Sequence, residues 1–121
     1  MVGKRTGAAG EPGLTRFADR LRVAAGAERV LLFGSRARGD ARPDSDYDVL
    51  VVSPRFRGIA ELERPASLYR LFYEAGNHAP LDLFCLTPEE FEWASTHITL
   101  VNAVLPEAID LLADGQEESN G

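Results

Sequence analysis

Two short apolar runs separated by a polar turn constrain this chain more than any other feature. Val30-Leu31-Leu32-Phe33 leads into Gly34-Ser35-Arg36-Ala37-Arg38-Gly39, and after Pro43-Asp44-Ser45 the chain turns apolar again at Tyr47-Asp48-Val49-Leu50-Val51-Val52. Aliphatic and β-branched residues make both runs strands, predicted over residues 29–33 and 46–53, the first apolar enough for burial on both faces. The strand period of two puts Asp46 and Asp48 on one face, with their roots roughly 7 Å apart, about twice the strand rise. Carboxylates where a strand enters a core repel each other and resist burial, and a divalent cation or a cationic ligand resolves both problems. In the plainer alternative Asp46 belongs to the turn and Asp48 to an edge.

A chain of 121 residues supports one core, which divides into a tail over 1–13, a domain over 14–114 and a second tail over 115–121. That length leaves no room for a separate acceptor-recognition domain. The net charge of −6 disfavours stable nucleic-acid binding, but the charge is unevenly spread. Through Arg42, nine Lys and Arg stand against four Asp and Glu, so this end is +5 and the remainder −11. An anionic ligand would approach from the basic end. Cys85 is the only cysteine, which excludes an intrachain disulfide and a thiolate zinc cluster and points to a reducing cytoplasm. Lys4 and Arg5 precede no apolar run, and no stretch approaches transmembrane length, so no membrane association is expected.

Helical spacing of Leu14, Phe17, Ala18, Leu21, Ala24 and Ala25 predicts a first helix, stopped by Gly26. After the second strand, residues 55–64 read as a loop with Phe56 and Ile59 covering the core. A helix from Pro65 to Gly76 presents Leu68, Tyr69, Phe72 and Tyr73. In the predicted third strand, 80–86, Leu81, Leu83 and Cys85 face the core, and Asp82 points the other way with Phe84 and Leu86. Thr87-Pro88-Glu89-Glu90 has the form of a capping box, opening a helix docked by Phe91 and Trp93. Ile98, Val101, Val104 and Leu105 form a last helix that Pro106 ends or kinks, and 108–112 reads as helix or short edge strand.

Gly34-Ser35, ten residues, then Asp46-Tyr47-Asp48, with Asp82 on a later strand, resembles the signature of the DNA polymerase β-type nucleotidyltransferase superfamily. Leu32-Phe33-Gly34-Ser35-Arg36-Ala37-Arg38-Gly39 and the later Leu81-Asp82-Leu83 resemble the minimal nucleotidyltransferases in particular. The resemblance implies an α/β polymerase β-like fold, with a small mixed sheet of three to four strands flanked by helices. It implies that Asp46, Asp48 and Asp82 bind magnesium, two ions in all, and that Gly34 and Ser35 grip the phosphates of a nucleoside triphosphate such as ATP. Minimal nucleotidyltransferases are similar to antitoxins that transfer AMP onto a HEPN-type toxin, which would make such a toxin the protein acceptor.

The residue types suit that chemistry. Nucleotidyl transfer depends on positioning and charge neutralisation. Gly34 permits close backbone approach and Ser35 offers a hydroxyl donor. The guanidinium forks of Arg36 and Arg38 match phosphate, with only one of them expected to point inward. Ser35 is equally a helix N-cap, Asp82 an edge-strand gatekeeper, and the arginines solvated surface. Tyr47, between the aspartates, faces the core. Two other functions fit the same residues: a non-catalytic antitoxin that neutralises by complex formation, and a small-molecule nucleotidyltransferase, in which a second copy of the chain, a homo-oligomer, supplies the missing wall.

Overall fold

The computed structural model describes residues 11–112, so most of the first predicted tail and all of the second lie outside the described residues. The first helix, α1, spans Pro12–Ala25 and takes in the last two residues read as tail. Proline is tolerated at its start because the first amides of a helix have no intrahelical acceptor. Gly26 ends it at φ 66°, the left-handed conformation glycine adopts without penalty. Strand β1, Arg29–Phe33, follows, then a single helical turn, α2, Ser35–Arg38, and strand β2, Tyr47–Val52. Asp46 therefore sits just before β2 and not within it.

Two 3-10 turns occupy 54–56 and 61–63, in the region read as loop. Phe56 is buried as expected, but Ile59 is 42% exposed and covers nothing. Helix α3, Tyr69–Glu74, starts later than the sequence suggests; Phe72 is its buried anchor and Tyr73 lies 45% exposed. Strand β3, Leu81–Leu86, buries Leu81, Leu83 and Cys85 and turns Asp82 and Phe84 outward, as its alternation predicts. Helix α4, Pro88–Ser95, opens with the expected capping box of Thr87 and Glu90. Helix α5, Leu100–Val104, gives way to a 3-10 turn at Leu105–Glu107 that includes Pro106, and strand β4 is the short pair Ile109–Asp110. Trp93 and Ile98 dock nowhere. Trp93 is 59% exposed and stacks on His97, because Phe91 and Ala94 take the inward face of α4, while Ile98 lies between the helices fully in solvent. No helix among the described residues is long and apolar enough to cross a membrane.

The four strands form one mixed sheet in the order β3-β2-β1-β4, with β1 antiparallel to both β2 and β4, and β2 parallel to β3. One face packs on α1 and α3 through Leu14, Phe17, Leu21, Val49, Val51 and Phe72. The other buries Leu31, Phe33, Leu50 and Val52 beneath Phe91, Val101, Val104 and Leu105. Side chains alternate between the faces, so this second face is built of registered rows: Arg29, Val52 and Leu86; then Leu31, Leu50 and Phe84; then Phe33, Asp48 and Asp82. The third row is where the apolar face ends.

Arg64 locks the outer edge of the sheet. It is 8% exposed and donates to the carbonyls of Ile59 at 2.9 Å and Cys85 at 3.1 Å, and to the Glu90 carboxylate at 2.6 Å. That hydrogen-bonded guanidinium holds the Glu90 carboxyl below its usual range while Glu90 also caps α4. The Tyr69 hydroxyl accepts from Leu83 N–H at 3.5 Å, so the exposed edge of β3 is partly covered by side chains. Replacing Arg64 with Met should cost about 2–4 kcal/mol, because a buried carbonyl and a paired carboxylate lose their donor. Urea denaturation checks this: an Arg64→Met protein as stable as the wild type would show that the lock contributes nothing.

Candidate active site

The end of β1 delivers the chain to Gly34, whose φ of 77° and ψ of −157° belong to a region open only to glycine. A second reason for glycine is space: a Cβ there would lie 2.5 Å from Oδ2 of Asp48. The bend therefore lies directly against the carboxylate. Gly34 caps α2, whose first amides have no intrahelical acceptor, and the Ser35 hydroxyl makes no hydrogen bond with any described residue.

Asp48 and Asp82 occupy the same register position on the parallel strands β2 and β3. Both lie on the face opposite Tyr47. Asp48 is half-buried, while Asp46 and Asp82 are exposed. Burial pushes the Asp48 carboxyl above its ordinary value, and the negative charges of Asp82 and then Asp46 push it further; Arg38 opposes them. The structure thus brings Gly34, Ser35, Asp46, Asp48, Asp82 and Arg38 to one end of the sheet. Among the described residues, no three His, Cys, Asp or Glu side chains enclose a cation by themselves. The donor set still suits magnesium, which takes hard oxygen ligands and is commonly held by one or two carboxylates together with substrate phosphates and water.

Arg36, read as a second phosphate ligand, is placed elsewhere. Its guanidinium donates to the Ser45 carbonyl at 2.7 Å and the Pro43 carbonyl at 3.0 Å, and lies 4.1 Å from the centre of the Tyr47 ring. It thereby ties down the loop that ends in Asp46. Tyr47 in turn donates its hydroxyl to Glu11 at 2.9 Å and packs edge-on against Phe72. Burial, then the bond to Glu11, pushes the Tyr47 phenol up, so it remains a protonated donor. Sequence reasoning placed Tyr47 in the core but missed both Glu11 and the clamping role of Arg36, since neither contact follows from strand or helix period. Cys85 is buried, its thiol pushed up to about 12 by desolvation, and it takes no part.

The chain matches the nucleotidyltransferase domain family over residues 14–113. No curated protein matches it in sequence. Among solved structures it resembles a candidate nucleotidyltransferase from Sulfolobus solfataricus, with 24% identity, a TM-score of 0.50 and 85% of each chain covered. It also resembles BolA1 from Arabidopsis thaliana, with 22% identity, a TM-score of 0.52, and 66% of this chain and 96% of that chain covered. At these identities the two structures show a shared fold.

Two stability measurements test the geometry. With a metal chelator present, Asp48→Asn should stabilise the protein near neutral pH. A carboxyl raised in the fold imposes no penalty below its ordinary value of 3.8, and the penalty grows as pH rises through the folded value. Denaturation at pH 7 and pH 4 should show the variant's advantage shrinking towards the acid side; equal stability at both would mean that Asp48 is unstrained. Gly34→Ala should cost about 1–3 kcal/mol through its backbone conformation alone, and a smaller loss would show that the bend relaxes.

Proposed function

The chain belongs to the nucleotidyltransferase domain family, and from that premise we propose that it is a magnesium-dependent enzyme transferring AMP from ATP to a hydroxyl on a protein acceptor, a HEPN-type toxin, which it silences as an antitoxin. The observation that carries the transferase reading is the row of Asp48 and Asp82, with Asp46 at its mouth and the Gly34 bend against Asp48. The exposure of Asp46 and Asp82 supports a protein acceptor, because a side chain presented by another molecule can reach them. AMP and the toxin rest on the resemblance of the motif to minimal nucleotidyltransferases.

In the reaction an acceptor hydroxyl oxygen attacks the α-phosphorus, a P–O bond forms, and the bond to the pyrophosphate oxygen breaks. Magnesium held by Asp46, Asp48 and Asp82 would neutralise triphosphate charge and favour the ionised acceptor oxygen. Asp82, the exposed member of the row, takes the hydroxyl proton. The Gly34 backbone lets the phosphates approach, the Ser35 hydroxyl donates to a phosphate oxygen, and Arg38 adds a positive charge on the same side. Arg36 keeps the Pro43-Asp44-Ser45 turn in place and so sets where Asp46 stands.

A second reading, in which the chain neutralises by binding alone, is favoured by the exposed Trp93, Ile98 and Leu100. One experiment separates the two. Incubation with α-labelled ATP, magnesium and a HEPN-type toxin should move label onto the toxin, and Asp46→Asn should abolish the label without lowering the melting temperature. Neutralisation that survives in Asp46→Asn at equimolar toxin, with no label moved by the wild type, would establish binding as the mechanism.

A further inference from the structure

Arg38 is held by two carboxylates of different origin. Its Nε donates to Oδ2 of Asp40 at 3.4 Å, within the same turn, and its Nη1 to Oε1 of Glu107 at 3.0 Å, across 69 residues of sequence. Glu107 closes the 3-10 turn leading into β4, and β4 pairs Ile109 with Leu32 and Asp110 with Leu31 of β1. The same strand β1 runs on through Phe33 into the Gly34 bend. Both ends of the bridge are therefore fixed to one strand, and the second nitrogen of the fork, Nη2, has no hydrogen-bond partner among the described residues.

The energetics indicate what the bridge does. Arg38 and Glu107 have 47% and 36% of their side chains exposed, and ion pairs of that exposure contribute little to stability. They do restrict an arginine that is otherwise free to sample many rotamers. A restricted guanidinium with one nitrogen unused is a prepared phosphate ligand.

We propose that Glu107 is a positioning residue: it holds Arg38 so that the unused end of the guanidinium faces the triphosphate beside Asp48. The assignment rests on the nucleotidyltransferase reading above. Glu107 touches neither nucleotide nor metal, and its effect passes through Arg38.

Titration calorimetry of the full chain with Mg-ATP, combined with transfer kinetics, tests it. Glu107→Gln should weaken Mg-ATP binding and raise the ATP KM about tenfold while kcat stays within about twofold, because the guanidinium is lost from the bound state and the transition state alike. The melting temperature should be unchanged. Arg38→Ala should produce a rise at least as large, and Arg38→Ala combined with Glu107→Gln should be no weaker than Arg38→Ala alone, since a residue acting through another has nothing left to act on. If the wild type binds Mg-ATP and Glu107→Gln binds it equally well, or if the two effects add, the role of Glu107 is overturned while the transferase reading stands. If the wild type binds no Mg-ATP, the transferase reading falls and takes this assignment with it.

Discussion

Two like charges in register at the end of an apolar face are the constraint around which this molecule is arranged. Neighbouring strands stand about 5 Å apart, and like charges directly opposite each other across such a pair are destabilising. Asp48 cannot escape, because β2 is paired on both sides and its alternate residues are locked into the opposite core. Gly34 presses on it from the third side. The fold holds a repulsive pair in place with central-strand register and backbone contact, and Arg38 offsets it among the described residues. Such an arrangement raises the Asp48 carboxyl above its ordinary value.

The two faces of β2 divide the work. On one, Tyr47 is buried and anchored by Phe72 and Glu11; on the other, Asp48 presents its carboxylate beside Asp82, with Asp46 just before the strand. Arg36 joins these halves, since it stacks on Tyr47 and also fixes the Pro43-Asp44-Ser45 turn that leads to Asp46. A loop residue is a poor ligand unless something rigid fixes it. Here the rigid support is the aromatic ring immediately following Asp46 in sequence, so the same short segment supplies both the carboxylate and its foundation.

Much of this was readable in advance where the signal is local. Continuous apolarity marked β1, alternation marked β3 and placed Asp82 outward, Gly26 stopped α1, and Thr87 with Glu90 announced α4. The spacing from Gly34-Ser35 to Asp46 and Asp48 brought the candidate site into view because the turn is short and both flanks are strands. What escaped was long-range. Arg64 with Glu90, Tyr47 with Glu11 and Arg38 with Glu107 join residues 26, 36 and 69 positions apart, and no local period encodes them. Apolar content also misled where no partner element exists: Ile59, Trp93 and Ile98 have the composition of core and lie exposed.

The position of the row along the sheet decides how open the chemistry is. Helices α4 and α5 cover the rows of Val52 and Leu50 and stop short of Asp48 and Asp82, leaving Phe84 40% exposed at the boundary. Had the helices extended one row further, the carboxylates would have been desolvated on every side, and an unpaired buried charge of that kind is costly enough to be neutralised by protonation. A protonated pair has no use for a hard cation. By ending the cover at Phe84, the fold keeps Asp82 and Asp46 in water while Asp48 is drawn partly inward by the sheet. The half-buried member supplies a fixed reference point, and its exposed neighbours remain open to solvent.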